Sequence, residues 1–401
     1  MRRAQEAVAA LRADMVRWRR HLHRHPELSY QERATAAFIA EELRAEGIAP
    51  RTGLARLRPE AEGTGVVAVL RGQRAPGARC IALRADTDAL PIHEEGKPEY
   101  RSLRAGVMHA CGHDAHTAML LGAGIALHRL RAEWSGAVML VFQPGEEKEP
   151  GGASLLLNEG ALSDPRPEGI IGQHVTPELP VGRLGFRAGP FMAAADELYL
   201  TVRGKGGHAA QRDRLVDPIL IAAELLPRLY GEARSAVPEG QPMVLSFGRL
   251  IAEGATNIVP GSLTVDGTLR TFDEGLRARL HALLPRICAE VAQGMGGSAE
   301  LRIVKGSPVV NNDAALTARL RAVAEGLVGR ENVVDMDVRM GAEDFAYYTQ
   351  VMPGCFFRLG TGNPAKPGTQ AGAHTPAFDI DEDALVIGAS MLALGALSEL
   401  G

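Results

Sequence analysis

Basic residues are in short supply along this chain of 401 residues: 44 Lys and Arg stand against 48 Asp and Glu, a formal net charge of −4 with His neutral. Nucleic-acid binding needs a surplus of cations to neutralise phosphates, so that balance excludes it as an expectation and favours a small or polar partner. Cysteine is scarce as well. Cys80, Cys111, Cys288 and Cys355 show no framework spacing, which excludes a disulfide scaffold and fits free thiols in a reducing compartment. No run approaches the roughly eighteen uninterrupted apolar residues of a membrane span. The opening stretch MRRAQEAVAALRADMVRWRRHLHRHPEL is charged throughout and lacks an apolar segment ahead of a small-residue cleavage site. The expectation is a cytoplasmic protein with no membrane partner.

Apolar side chains are plentiful, at 46% of residues, and the chain is longer than one domain usually needs, so a large domain with a smaller one is expected. VVAVL (66–70), CIALRA (80–85), AVMLVF (137–142) and GIIGQHV (169–175) are short, apolar and bounded by Gly, Pro or Asp, with a helical pattern over 117–133 between them. Such alternation predicts an α/β fold with a mostly parallel sheet. From about 186 to 307 the pattern becomes β-α-β-β-α-β, a ferredoxin-like α+β unit inserted into the first domain, which spans 1–185 and 308–401.

Chemistry concentrates in MHACGHDAHTAML (108–120). Cys111 and His113 would face a common target only from the loop that enters the helix expected at Thr117. Taken alone, Cys111 is open to three readings: metal ligand, nucleophile activated by His113 or His116, or small buried residue. The apolar run AVMLVF leads into Gly145, Glu146 and Glu147, and GIIGQHV ends at His174, so both deliver their groups where ligands bind in open α/β sheets, beyond the carboxyl ends of the strands. His374 follows in a Gly-rich loop. Cys111, His113, Glu147, His174 and His374 exceed one tetrahedral shell, and two divalent ions sharing a bridging ligand would accommodate them. The mixed S, N and O set points first to zinc, with manganese, cobalt or nickel also compatible. Glu146, beside a ligand on a turn, is placed to move a proton for an attacking water. Asp88 in RADTDALP either orients a ligating imidazole or caps the turn before Pro91.

RRHLHRHPELSYQE, RADTDALPI, HACGHDAHTAMLLGA, VFQPGEE, GKGGHAA, ATNIVPGS, GTLRTF, GAEDFAYY and HTPAFD occur in order along the chain. In this it resembles the zinc aminoacylase and carboxypeptidase family, in the branch of hippurate hydrolases, N-acyl-L-amino acid amidohydrolases and auxin-amino-acid conjugate hydrolases. The resemblance implies hydrolysis of N-acyl amino acids at a dinuclear site, with the inserted domain acting as lid and homodimer interface. It matches Cys111 to the bridging ligand and His113, Glu147, His174 and His374 to the remaining ligands. Glu146 matches the general base and Asp88 the supporting aspartate, while Asp86 falls where other branches place a histidine and is set aside as a ligand. In the lid, His208 matches a residue that reaches the partner subunit's site and polarises the scissile carbonyl, and Asn257 and Arg270 match substrate contacts. Arg212 and Asp213 depart from the pattern, standing where the family usually has a Pro-His pair. A non-catalytic binding protein on the same fold is a third possibility, opposed by the presence of Glu146.

Overall fold

The computed structural model describes residues 1–75 and 79–401. Its backbone gathers into two compact units, one comprising Met1–Gly189, Asn311–Asp337 and Asp344–Gly401, the other Pro190–Val310 and Val338–Glu343. Residues 338–343, expected in the first domain, group with the second. The cause is backbone pairing: Ala193 N donates to Arg339 O at 3.0 Å and Arg339 N to Phe191 O at 2.8 Å.

In the first unit an eight-stranded sheet runs in the order Pro50–Leu54, Gly65–Arg71, Ala137–Gln143, Cys80–Asp86, Gly169–Pro180, Gly354–Gly362, Leu184–Phe186, Val333–Asp335. The middle of the sheet, from Ala137–Gln143 to Gly354–Gly362, is parallel. Gly65–Arg71 is antiparallel to Ala137–Gln143, against the expectation for VVAVL. Only residues 72–79 separate it from Cys80–Asp86, too few for the helical crossover that parallel strands require. Cys80–Asp86 and Ala137–Gln143 are buried at every position, as mainly apolar strands covered on both faces are, Arg84 being the charged exception inside the first.

The helix His113–Arg129 is buried from His113 through Leu127, polar in its first turn and apolar on every side from Ala118 to Leu127, so it is not amphipathic. Gly124 lets it approach the sheet: a Cβ there would stand 2.4 Å from Leu140 Cδ1. Leu120, Leu83, Leu140, Phe357 and Leu392 belong to the core that joins this helix, the sheet and the helix Ala384–Leu400. From Cys80–Asp86 the chain crosses through His113–Arg129 to Ala137–Gln143 on one side, then returns to Gly169–Pro180 on the other. Strand order therefore reverses about Cys80–Asp86, and a crevice opens at the carboxyl ends of these strands.

The second unit has the ferredoxin-like succession. Its antiparallel sheet runs Met243–Ile251, Ser262–Thr271, Ala194–Arg203, Ser298–Lys305. The helices Pro218–Ala236 and Glu274–Gly294 bury Leu225, Leu229, Leu280 and Leu284 in one core with Leu198, Leu200 and Val202 of the sheet. Asp217 and Asp273 start these helices by accepting hydrogen bonds from Ile219 and Leu276 N–H respectively. Among the described residues, no helix is long and apolar enough to cross a membrane.

Candidate metal centre

The candidate ligands come together from the loop before the helix His113–Arg129, the turn after Ala137–Gln143, the strand Gly169–Pro180 and the loop that carries His374. Gly112 separates Cys111 from His113 with φ 91°, and a Cβ on it would fall 2.3 Å from Val175 Cγ2. Only glycine permits this turn. It starts the helix at His113 instead of the expected Thr117, so His113 projects from the first helical residue while Cys111 projects from the loop before it.

Beyond the strand Ala137–Gln143, successive backbone N–H groups are held by two carboxylates. Gly145 N donates to Glu32 Oε1 at 2.9 Å, and Glu146 N and Glu147 N donate to Asp88 Oδ1 and Oδ2 at 3.0 Å each. Ser29 Oγ adds a 2.7 Å hydrogen bond to Asp88 Oδ2, and His113 Nδ1 lies 3.3 Å from Asp88 Oδ1. Asp88 thus faces the His113 imidazole and holds the acidic turn. Burial pushes its carboxyl up, but His113 and these donors outweigh that and hold it below its ordinary range.

His174 Nδ1 donates to Val175 O at 2.6 Å, which fixes the tautomer and leaves Nε2 as a lone pair aimed at Cys111 Sγ, 3.2 Å away. His374 sits at φ 63°, in the left-handed region that costs a non-glycine residue energy, with its N–H donated to Ala110 O at 2.7 Å. Its Nε2 lies 3.0 Å from Glu147 Oε1.

Two groups of donors result. The ligand atoms of Cys111, His113 and His174 lie within 4.8 Å of one another, and so do those of Cys111, Glu147 and His374. Cys111 belongs to both. His113, Glu146 and Glu147 form a further overlapping group by the same measure.

The donor chemistry fits cations. Both ring nitrogens of His113 are buried without a well-directed hydrogen bond, Nδ1 having only its 3.3 Å approach to Asp88 Oδ1, an expensive arrangement for a dry site with nothing to bind. Burial opposes charge on His113, yet Asp86, Cys111 and Asp88 outweigh it and raise its pKa well above the ordinary value, so the pocket favours positive charge at that spot. Burial, with the Glu147 charge second, pushes the Cys111 thiol up to about 12, and a cation is what would draw off its proton. His174 is held neutral by burial and by Arg358.

The nucleophile reading that takes His113 or His116 as base meets obstacles at both. His116 Nδ1 donates to Asp86 Oδ1 at 2.6 Å and its Nε2 accepts Val175 N–H at 2.9 Å, so neither nitrogen can receive a thiol proton or bind an ion. His113 already favours its protonated form. Asp86 is likewise engaged, 2.7 Å from Arg84 Nη1.

Several supporting residues escape a reading of sequence alone. Arg84 is buried and its Nη2 donates to Asp344 Oδ1 at 2.8 Å; Asp344 also accepts from Gln143 Nε2 at 2.8 Å and Ala153 N at 3.1 Å. This network fastens together the ends of Cys80–Asp86 and Ala137–Gln143 and the start of the helix Gly152–Asn158. Its one signal was a charge inside an apolar strand, in CIALRAD. Glu32 is another. Burial, then the Asp88 charge, pushes Glu32 up to about 7 from an ordinary 4.5. Between those values the native state keeps a proton that the unfolded chain has lost, so stability should fall as pH rises, by up to about 3 kcal/mol in all. Glu32→Gln should flatten that part of the stability-against-pH curve, measured by chemical denaturation from pH 4.5 to 7.5; an unchanged slope would show that Glu32 is not the group responsible.

His208, Asn257 and Arg270 belong to the second unit, whereas the candidate ligands, Glu146 and Asp88 belong to the first. His208 is exposed on the short strand Gly207–His208, paired with Ile258–Val259, and its Nδ1 accepts Ala210 N–H at 3.2 Å, which assigns the proton to Nε2. Asn257 is adjacent, its carbonyl accepting Ala209 N–H at 3.0 Å. Arg270, on the strand Ser262–Thr271, donates from Nη1 to Met340 O at 3.0 Å. Arg212 and Asp213 lie exposed in the 3-10 turn Arg212–Arg214.

The profile described as peptidase family M20/M25/M40 matches residues 82–397. The N-acyl-L-amino acid amidohydrolase of Geobacillus stearothermophilus is 41% identical over 307 residues, 76% of this chain and 80% of that protein. The N-acetyl-L-cysteine deacetylase of Bacillus subtilis (strain 168) is 36% identical over 379 residues, 94% of this chain and 86% of that protein. Among solved structures, Bacillus subtilis YXEP, described as a dinuclear metal binding peptidase from the M20 family, superposes with a TM-score of 0.84 at 33% identity, covering 98% of this chain and 99% of that one.

Proposed function

This chain belongs to peptidase family M20/M25/M40 and is a hydrolase of the metallo-amidohydrolase type, and on that premise we propose that it cleaves the amide bond of N-acyl amino acids at a centre of two divalent cations. The observation that carries the proposal is a pair of three-donor groups sharing Cys111. Cys111, His113 and His174 would hold one cation and Cys111, Glu147 and His374 the other. The thiolate and three imidazoles suit zinc first, with manganese, cobalt or nickel also accepted by such a set.

Bound there, divalent cations supply Lewis acidity to the water and to the amide carbonyl. Glu146, its backbone fixed by Asp88, takes the proton from the attacking water and returns it to the departing nitrogen. The products are a carboxylate and a free amino acid. His208 donates from its protonated Nε2 to the amide oxygen of a substrate in the partner subunit of a homodimer, and the second unit serves as lid. Arg270 pairs in two-pronged fashion with the substrate carboxylate, and Asn257 contacts the same substrate. The names of the two relatives, an N-acetyl-L-cysteine deacetylase and an N-acyl-L-amino acid amidohydrolase, support the N-acyl class.

The test is removal of cations by a chelator, followed by separate return of zinc, manganese, cobalt and nickel, with hydrolysis read on N-acetyl, N-benzoyl and N-indoleacetyl amino acids. Activity should vanish and then return with at least one ion. Full activity in protein shown to be cation-free by elemental analysis would overturn the proposal.

A further inference from the structure

Arg19, in the helix Arg12–Arg24, is wholly buried, and its ion pairs are made with carboxylates that are not among the candidate ligands. Its Nε is 3.0 Å from Asp114 Oδ2 and its Nη2 is 2.6 Å from Asp379 Oδ1, while Nη1 reaches Glu382 Oε1 at 3.5 Å. Asp114 directly follows His113. Asp379 closes the short loop that begins at His374. One guanidinium therefore spans the two chain segments that carry ligands of different groups.

Desolvating an arginine and its carboxylates is costly, and a well-packed apolar cluster would serve stability as well. A buried guanidinium does what an apolar cluster cannot: it holds two carboxylates on one charge, Asp379 by a hydrogen bond and Asp114 by ion pairing. We propose that Arg19 is a positioning residue that sets the distance between the Cys111–His113 segment and the His374 loop, and so governs binding at the Cys111, Glu147, His374 group. The inference rests on the two-cation reading above.

The two ends of this strut are not equally secured without it. Asp114 keeps His23 Nδ1 at 2.7 Å and Ala115 N at 2.9 Å, at the start of a buried helix. The loop from His374 keeps Tyr100 Oη on Asp379 at 2.7 Å and two backbone bonds, His374 N to Ala110 O at 2.7 Å and Glu95 N to Pro376 O at 2.8 Å. The His374 side chain itself is 52% exposed. Loss of Arg19 should thus displace the His374 side and spare the His113 side.

Arg19→Lys keeps the charge and loses the fork; Asp379→Asn keeps the shape and one acceptor oxygen and loses the negative charge that faces Arg19. Each, stripped of cations, is titrated with cobalt, and the two binding steps are followed by the absorption of the cobalt-thiolate chromophore, with folding checked by thermal unfolding. The expected result for either variant that folds is one step weakened about 10- to 100-fold, the range for losing a partner that orients a ligand, and the other unchanged. Both steps unchanged, or both weakened equally in folded protein, would overturn the role of Arg19. Fewer than two cobalt ions bound by the unaltered protein would instead overturn the two-cation reading and the role of Arg19 with it.

Discussion

Replacing Glu146 with Gln is expected to lower turnover of N-acyl amino acids by about 1,000-fold, the middle of the range for removing a general acid–base group, while both cations stay bound. Glutamine has nearly the same shape, and the hydrogen bond from residue 146 N–H to Asp88 comes from the backbone, so the turn should keep its place. What disappears is the oxygen able to carry a proton. Elemental analysis and steady-state kinetics on the same sample check both halves. Near-normal turnover would remove Glu146 from the mechanism. Loss of an ion would reassign it as a ligand, a role its distance from His113 and Glu147 makes a meaningful alternative.

Cys111→Ala should be as damaging for another reason. It reduces each three-donor group to two, so cation content should fall below two per chain and activity by at least about 100-fold. Cys111→Asp separates ligand from nucleophile. A carboxylate can bridge two cations but offers no thiol, so the ligand reading expects Asp to restore two ions and much of the turnover that Ala loses. A nucleophile reading expects Asp to be as inactive as Ala. The buried thiol pushed up to about 12 and the engaged nitrogens of His116 already oppose that second reading.

The candidate ligands stand out in the sequence because most of them lie next to a boundary that leaves a local mark: a Gly before a helix, an apolar run stopping at Gly145, an apolar run reaching His174. The parallel sheet was legible for the same reason, through unbroken apolar runs. What is set by partners distant in sequence leaves no such mark. Arg84 finds Asp344 across 260 positions and Arg19 finds Asp379 across 360. The start of the helix at His113 was missed because His, Asp and Ala carry little apolar periodicity, and the decisive residue, Gly112, acts through its backbone angle and its nearness to Val175. The direction of Gly65–Arg71 was missed because an apolar run reveals burial and not polarity of pairing.

Residues 338–343 give the molecule an unusual kind of modularity. A domain acquired as one inserted cassette would need two crossings of the chain, whereas here there are crossings after Gly189, Val310, Asp337 and Glu343. Cutting out 190–310 and sealing the ends would orphan a short ribbon whose backbone bonds to Phe191 and Ala193, and whose Met340 carbonyl bonded to Arg270, have all lost their other half. Anyone transplanting this module between relatives must therefore carry both pieces, and the two must be exchanged together to remain in register.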